Sequence, residues 1–278
     1  MYCYSLDGTL LWKRDLGEVR VGASLGEGCS PVLHHGRIII IRDHSGQSSI
    51  EVLEAATGQT VWKRTRDEKN AWATPKIFTK DGERTQVITA ASNFIRSYDL
   101  DTGEVIWQCS GLTGNVTPSP VIYNDMVICM SGYEGHSVMA LKLDSKGDVS
   151  GSSAVVWSGD KGTPYIPSPL LFDDQLYFTQ SNKGILTSLN ATTGEAIIER
   201  TRLPNIQNIY ASPVGANSHV YFAGRTGAIV VLKHTNELNV VATNKLDDEF
   251  NASPVPVGDC LYLRGRQYLY CIGENKDN

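Results

Sequence analysis

The stretch Tyr98-Asp-Leu-Asp-Thr-Gly-Glu-Val-Ile-Trp107 carries the strongest structural signal in the chain, because close copies of it recur. Two of these copies are Leu53-Glu-Ala-Ala-Thr-Gly-Gln-Thr-Val-Trp62 and Leu189-Asn-Ala-Thr-Thr-Gly-Glu-Ala-Ile-Ile198. In each copy a glycine precedes a large apolar residue by four positions, and Gly8 with Trp12 fits the same pattern. A Thr-Gly pair supplies the positive φ that a tight turn between strands requires. The copies therefore predict strand–turn–strand units at a regular period.

A second marker, a Ser-Pro or Thr-Pro step in front of an apolar strand, alternates with the first. The six steps are Ser30-Pro31, Thr74-Pro75, Ser119-Pro120, Ser168-Pro169, Ser212-Pro213 and Ser253-Pro254, at spacings of 44, 45, 49, 44 and 41 residues. Each unit is interpreted as four short strands: A follows the proline, B follows a turn, C precedes the Thr-Gly pair and D follows it. Segments such as Ile38–Ile41 (strand B) and Phe94–Tyr98 (strand C) are rich in β-forming residues. The sequence predicts an all-β fold.

Four-stranded units at this period are typical of a β-propeller, with one unit per blade and each strand D tryptophan packed against the next blade. A β-sandwich is the alternative. The chain begins with Met1–Leu6 as a strand C and Leu10–Lys13 as a strand D, and it ends on a strand C at Tyr268–Ile272. The amino-terminal strand D could complete a six-bladed ring, or a larger, seven-bladed ring could lack its first strands. The extra strand C favours the second. We expect one propeller domain over residues 1–278, with six repeats plus a partial blade.

One connection departs from the period. The segment Asp144–Ala154 between strands C and D is longer than its counterparts and rich in glycine and serine. It is expected to be a mobile insertion.

Composition excludes several classes of protein. Lys and Arg number 25 against 30 Asp and Glu, a net charge of −5, which argues against binding to nucleic acid or an anionic membrane. No apolar run is long enough to span a membrane. Residues 1–8 do not have the pattern of a signal peptide. The six cysteines contain no adjacent or C-x-x-C pair, so no disulfide scaffold or zinc site is expected, although pairing of Cys3 with Cys271 stays open.

The two Thr-Gly-x-x-x-Trp strings resemble the repeat of pyrroloquinoline-quinone-like (PQQ-like) β-propellers. That superfamily includes quinoprotein dehydrogenases and the BamB-type outer-membrane assembly lipoproteins. The stretches Cys29-Ser-Pro-Val32, Ala211-Ser-Pro-Val214 and Asn244-Lys-Leu-Asp-Asp248 are most similar to exported propellers of planctomycete-type bacteria. The resemblance implies a location outside the cytoplasm and a non-catalytic binding or scaffolding module with a protein or carbohydrate partner.

The alternative implied by the resemblance is a quinone- or metal-dependent oxidoreductase of the quinoprotein type. Quinoprotein dehydrogenases use a disulfide between adjacent cysteines and a calcium ion held by Glu, Asn and Asp. This chain has no adjacent cysteines, no calcium triad can be matched to it, and only Trp12, Trp62, Trp107 and Trp157 fit the tryptophan position. We therefore expect no cofactor and assign no catalytic or metal-binding residue, with PQQ and calcium belonging to the alternative.

The topology predicts that the D–A and B–C connections emerge on one face, opposite the tight A–B and C–D turns. The residues before each Pro step should surround a central funnel on this face, and the B–C loops should add to it. Aromatic rings beside amides, arginines and carboxylates suit a polar ligand or a peptide segment. The candidate binding residues are Glu27, Asp43, His44, Trp72, Asn115, Tyr133, His136, Tyr165, Tyr210, Arg225, Asn251 and Arg264.

Overall fold

The computed structural model describes residues 1–22, 25–80 and 82–273. Within these ranges it contains 26 β-strands arranged in seven sheets. In the same ranges no helix has both the length and the apolar character needed to cross a membrane. The predicted all-β fold with four-stranded antiparallel blades of the β-propeller type is confirmed.

The chain divides into two compact units, of which the first comprises Met1–Cys129 and Leu141–Val155. It contains an amino-terminal hairpin (β1, β2), sheet I (β3–β6) and sheet II (β7–β10 with β14). The strands of these sheets are β1 Tyr2–Tyr4, β2 Leu10–Lys13, β3 Val32–His34, β4 Arg37–Arg42, β5 Ser48–Glu54, β6 Thr60–Arg66, β7 Lys76–Phe78, β8 Gln86–Ala90, β9 Ile95–Asp99, β10 Val105–Cys109 and β14 Gly147–Asp148.

The second unit comprises Met130–Ala140 and Val156–Asn278. It contains sheet IV (β16–β19), sheet V (β20–β23) and sheet VI (β24–β26). The strands are β16 Leu170–Phe172, β17 Gln175–Thr179, β18 Ile185–Asn190, β19 Ala196–Arg202, β20 Val214–Ala216, β21 His219–Ala223, β22 Ala228–Lys233, β23 Val240–Lys245, β24 Val255–Val257, β25 Cys260–Arg264 and β26 Leu269–Gly273.

Sheet III is formed by β11 Val121–Tyr123, β12 Met126–Ser131, β13 Ser137–Lys142 and β15 Val155–Gly159. The division between the two units passes through this sheet.

The four strands of a complete sheet lie side by side in chain order, as predicted from the two markers. In sheet I, Val32 of β3 is opposite Ile39 of β4, which is opposite Val52 of β5, which is opposite Trp62 of β6. Every one of these pairings is antiparallel. Directly opposite residues share a face of the sheet, so this register lines up one apolar row from strand A to strand D.

Glycine is required at the Thr-Gly turn for two reasons. Gly103 has a φ of +71°, and a Cβ built there would lie 2.6 Å from the Trp62 ring. The Trp62 indole Nε1 donates a hydrogen bond to the backbone oxygen of Leu100 at 2.7 Å. Trp62 therefore packs on the turn of the following sheet, as predicted for a strand D tryptophan. The same arrangement is formed by Trp12 on Gly58 and by Trp157 on Gly194.

The hydroxyl of the Ser-Pro or Thr-Pro step links neighbouring sheets. The backbone N–H of Ser30 donates to the Thr74 hydroxyl at 3.2 Å, and the N–H of Thr74 donates to the Ser119 hydroxyl at 3.2 Å. In the second unit Ser168 donates to Ser212, and Ser212 donates to Ser253, both at 2.9 Å. A backbone N–H withdrawn from water needs a partner, and in these four pairs the hydroxyl of the next Pro step supplies it.

Apolar side chains from facing sheets form the core within each unit. Between sheets I and II the buried cluster is Ile39, Ile41, Ile50, Val52, Val87, Tyr98 and Leu100. Between sheets IV and V it includes Tyr177, Leu186, Ile198, Val220, Phe222, Val230 and Leu232. Burial of these rows from water stabilises the stack, at roughly 25 cal/mol per Å² of apolar surface.

The expectation of a mobile insertion at Asp144–Ala154 is wrong. Gly147 and Asp148 form β14, which pairs in parallel with Trp107 and Gln108 of β10. The backbone N–H of Val149 donates to Gln108 at 2.9 Å, and the Gln108 side chain donates to Asp148 at 3.0 Å. The segment therefore adds a fifth strand to sheet II, and Trp107 is fully buried.

The predicted strands at the amino end pair with each other, since Cys3 of β1 lies opposite Trp12 of β2. Sheet VI has the strand order β24-β25-β26. The predicted strand C at Tyr268–Ile272 corresponds to β26, one residue later. The number of blades in a closed ring stays a prediction.

Candidate binding surface on the loop face

The D–A and B–C connections meet in both units, as the topology predicts. In the first unit the Glu68 carboxylate, in the D–A connection after β6, accepts hydrogen bonds from the N–H groups of Asn93 and Phe94 at 2.8 and 3.1 Å. In the second unit Asp248, after β23, accepts from the N–H groups of Gln267 and Tyr268 at 3.2 and 3.1 Å. In each case a carboxylate of one sheet holds the B–C loop of the next sheet.

The two carboxylates have pKa values shifted in opposite directions. Burial raises the pKa of Glu68, and this effect outweighs the hydrogen bond from Asn93 and the charges of Arg66 and Arg96. For Asp248 burial also acts to raise the pKa, but backbone hydrogen bonds, the largest from Glu249, lower it overall. The surroundings of Glu68 thus disfavour the charged form of the carboxylate, whereas those of Asp248, at the same structural position, favour it.

The predicted binding residues of the first unit are largely used by the fold. Arg66 donates from Nε and Nη2 to the two carboxylate oxygens of Asp43 at 2.8 and 3.0 Å. Arg66 also donates to the hydroxyls of Thr89 and Tyr98 at 3.0 and 2.7 Å. The side chains of Arg66 and Asp43 are 0% and 1% exposed, so Asp43 is not available to a partner.

The side chain of His44, also expected on the binding face, is buried as well. Its Nδ1 accepts a hydrogen bond from the Gly46 N–H at 3.0 Å. A ring held inside its own loop in this way does not contribute to the surface.

The other three predicted residues of this unit are more accessible. Glu27 accepts a hydrogen bond from Arg42 at 2.9 Å. Trp72 donates from Nε1 to Gly26 at 3.0 Å and closes over Gly28, where a Cβ would lie 2.6 Å from the ring. Asn115 is half-buried, with a φ of +53°. Together they form a surface in which the polar groups of Glu27 and Trp72 are already paired.

The second unit brings four of its predicted residues into two ring contacts. The rings of Tyr133 and Tyr165 lie 4.7 Å apart between centroids. The Arg225 guanidinium carbon lies 4.3 Å from the centroid of the Tyr210 ring, within the range of a cation–π interaction. Arg225 Nε also donates to the Asn251 side-chain oxygen at 2.8 Å. We call Tyr133, Tyr165, Tyr210, Arg225 and Asn251 the tyrosine–arginine strip.

Tyr165 lies close enough to both Tyr133 and Tyr210 for their phenols to affect its pKa. The pKa of Tyr165 is raised, first by burial and then by the neighbouring phenols of Tyr133 and Tyr210. The Tyr133 side chain is 50% exposed and Asn251 is exposed. Phenol faces and a guanidinium offer apolar area with polar edges, a combination enriched where proteins bind other proteins.

His136 and Arg264, the two remaining predicted residues, have different surroundings. His136 Nδ1 lies 2.9 Å from the Thr163 hydroxyl, so it supports a loop from the side. Arg264 is exposed and lines a cavity of about 230 Å³ together with Glu249, Asn251 and Arg266. Arg264 therefore extends the strip beyond Asn251, whereas His136 does not belong to it.

Sequence reasoning missed the supporting groups of this surface. Glu68 and Asp248 were not predicted, whereas Asn182, expected in a B–C loop of this face, accepts a hydrogen bond from the N–H of Ile166 at 3.1 Å beside Tyr165. An acidic residue six positions before Thr74 and five before Ser253 is the signal that could have identified the first two.

No group of three or more His, Cys, Asp or Glu side chains placed to hold a metal ion occurs in the part of the chain that the structure describes. All six cysteines are free, including Cys3 and Cys271, whose pairing the sequence left open.

Comparison with known proteins gives one family and several similar structures. The family model for outer membrane protein assembly factor BamB matches residues 1–197 and, again, residues 46–277. No curated protein matches the sequence.

Three solved structures share the fold at low sequence identity. BamB from Moraxella catarrhalis is 15% identical with a TM-score of 0.53, over 97% of this chain and 87% of that one. The computationally designed Ika8 protein is 13% identical with a TM-score of 0.66, over 96% and 75%. Quinohemoprotein alcohol dehydrogenase from Comamonas testosteroni is 14% identical with a TM-score of 0.57, over 90% of this chain and 46% of that enzyme. The predicted closeness to planctomycete-type propellers stays a prediction.

Proposed function

This chain belongs to the family of outer membrane protein assembly factor BamB, and we propose that it is a non-catalytic module that holds a protein partner on the tyrosine–arginine strip. The observation that carries the proposal is the pair of ring contacts, Tyr133 with Tyr165 and Arg225 with Tyr210, on accessible loops. We propose a location outside the cytoplasm, associated with the outer membrane, on the basis of family membership.

The chemistry of the strip favours an extended polypeptide segment. Tyrosine supplies a large contact area at a small cost in conformational entropy, and tyrosine and arginine dominate the binding energy of many interfaces. Arg225 and Arg264 add positive charge on a chain whose net charge is −5. We therefore expect the segment to carry aromatic or apolar side chains next to an acidic residue.

The test begins with selection of binders from a displayed library of random peptides on the immobilised full chain. The affinity of the strongest peptide is then measured by calorimetry for the wild type and for Tyr165→Ala. We expect a loss of about 30-fold or more, corresponding to about 2 kcal/mol for a central aromatic residue.

The matched control is Tyr123→Ala, because Tyr123 ends β11 at the A–B turn, on the opposite end of its sheet. Its affinity for the peptide should equal that of the wild type. Equal losses in both variants, or none in Tyr165→Ala, would overturn the assignment of the strip. Selection of oligosaccharides but no peptides from parallel arrays would point to the carbohydrate partner instead.

The alternative function is a quinone- or metal-dependent oxidoreductase, which the fold of the quinohemoprotein alcohol dehydrogenase keeps open. The chain does not fit the cofactor site of those enzymes, since its cysteines are not adjacent in sequence. Addition of PQQ with calcium should leave tryptophan fluorescence unchanged and produce no dye reduction with an alcohol. Saturable quenching together with dye reduction would replace the binding-module proposal.

A further inference from the structure

Strand D of sheet V has a small residue at the position where other sheets carry a large one. The position is defined by register, because each strand C–D pair has a bulge next to it. At this position Trp62 lies opposite Val52, and Ile198 lies opposite Ser188. In sheet V the residue is Ala242, opposite Val231. The tryptophans Trp12, opposite Cys3, and Trp107, opposite Ser97, occupy the same position in their sheets.

The large residue fills the space between its own sheet and the next one. Between sheets IV and V, Ile198 belongs to the buried cluster with Val220 and Leu232. Between sheets V and VI the buried cluster consists of Ala211, Ala223, Ile229, Phe250 and Leu263, and it does not include Ala242.

A cleft of about 680 Å³ continues this packed interface between sheets V and VI. Its walls include Tyr221, Ile229 and Val231 of sheet V and Leu261, Leu263 and Ile272 of sheet VI. Because directly opposite residues share a face, the Ala242 methyl group projects to the same side as Val231. Ala242 itself is not among the lining residues, but a larger side chain there would extend on the side of the sheet where Val231 lines the cleft.

The charged groups near the cleft are engaged with the protein itself. Lys245 donates a hydrogen bond from Nζ to the backbone oxygen of Thr226, and Asp259 has interactions within the fold. The remaining polar side chains of the lining are the amides of Asn217 and Asn244, the phenol of Tyr221 and the thiol of Cys260. An apolar volume with a few neutral polar groups favours an uncharged ligand.

We propose that this cleft binds a neutral, planar, bicyclic aromatic compound of the size of indole. The occupant follows from the molecule itself, since the indoles of Trp12 and Trp62, at the equivalent register, pack on the turn of the following sheet and donate their N–H to a backbone oxygen there. A free ring would occupy the volume that Ala242 leaves open. This site is independent of the tyrosine–arginine strip.

The test uses 5-fluoroindole as the probe and the full chain. Binding is followed by broadening of the ¹⁹F resonance, which the five intrinsic tryptophans do not disturb. At about five times its Kd the probe should raise the thermal midpoint of the wild type by about 2 to 4 °C. Ala242→Trp should raise the midpoint without probe and reduce probe affinity by about tenfold or more.

Thr243→Trp is the matched control, because Thr243 is exposed and its side chain points to the other face of β23. It should bind the probe as the wild type does. Ala242→Leu, with a smaller side chain, should give an intermediate affinity and serves if the tryptophan variant fails to fold. Absence of probe binding to the wild type, or equal binding to the Ala242 and Thr243 variants, would overturn the proposal.

Discussion

The loop faces of the two units are built on the same connections but differ in what their charged groups do. In the first unit Arg66 is buried and its guanidinium is satisfied by Asp43, Thr89 and Tyr98. In the second unit Arg225 lies across the Tyr210 ring near the surface, with one hydrogen bond from Nε to Asn251. The first arrangement satisfies a buried charge within the fold, whereas the second leaves donors and ring faces for another molecule.

The comparison shows why residue type alone does not identify a binding residue. Asp43 and Asn251 were both predicted to bind a partner. Asp43 is buried because an arginine from strand D of its own sheet reaches it, and an ion pair removed from water must be fully paired to be tolerated. Asn251 is exposed and makes its one described hydrogen bond to an arginine of the same surface.

The largest expected effect comes from breaking the buried ion pair of the first unit. Asp43→Ala leaves the Arg66 guanidinium buried without its carboxylate, and we expect the free energy of unfolding to fall by about 3 to 5 kcal/mol. Denaturant titration measures this change. Arg64→Ala, an exposed arginine on the same strand, should change stability by less than about 0.5 kcal/mol.

The Asp43→Ala variant also tests whether the first unit takes part in peptide binding. Where Asp43→Ala remains folded, its affinity for the selected peptide should equal that of the wild type. A selective loss of peptide affinity with unchanged stability would show that the first unit also contributes to binding.

A smaller effect is expected at the arginine of the second unit. Arg225→Ala removes the cation–π contact with Tyr210 and the hydrogen bond to Asn251, and should weaken peptide binding by about tenfold with little change in stability. Arg225→Lys retains the charge but not the planar group that stacks on the ring. Calorimetry should give Arg225→Lys a peptide affinity between those of the wild type and the alanine variant. An affinity equal to that of the wild type would show that the charge of Arg225 contributes to binding and its planar group does not.

The smallest effects are two pH dependences of opposite sign. The lowered pKa of Asp248 contributes stability above its ordinary value of 3.8, and this is lost as the pH falls through the folded-state pKa. The raised pKa of Glu68 favours the folded state below 4.5, and that contribution is lost as the pH rises through the folded-state pKa.

Unfolding free energies measured across the acidic range test both signs. Asp248→Asn should reduce the loss of stability on acidification, and Glu68→Gln should reduce the loss on raising the pH from 4.5. Identical slopes in the wild type and both variants would contradict the difference between the two carboxylates.

The strands and turns were predictable because their signals are local. A Thr-Gly pair before Trp62 or Trp107 specifies a turn by its own backbone preference, and the Pro steps mark strand A without any knowledge of neighbours.

The site was predictable only in part. That Tyr133 meets Tyr165, 32 residues later, follows from the topology, but that Arg66 reaches Asp43 depends on side chains of a single sheet turning inward. The fifth strand at Gly147 and Asp148 was missed because a Gly-Ser-rich sequence has little strand propensity. The strand forms because its backbone pairs with β10.

In the hydrogen bonds between successive Pro steps, the donor N–H belongs to the earlier repeat and the acceptor hydroxyl to the later one. The four donors bond to acceptors 41 to 45 residues farther along the chain, and Trp62 likewise packs on a turn that follows it. During synthesis, the hydrogen bond at the Pro step and the tryptophan–turn contact of a blade can form only after the next blade has been synthesised.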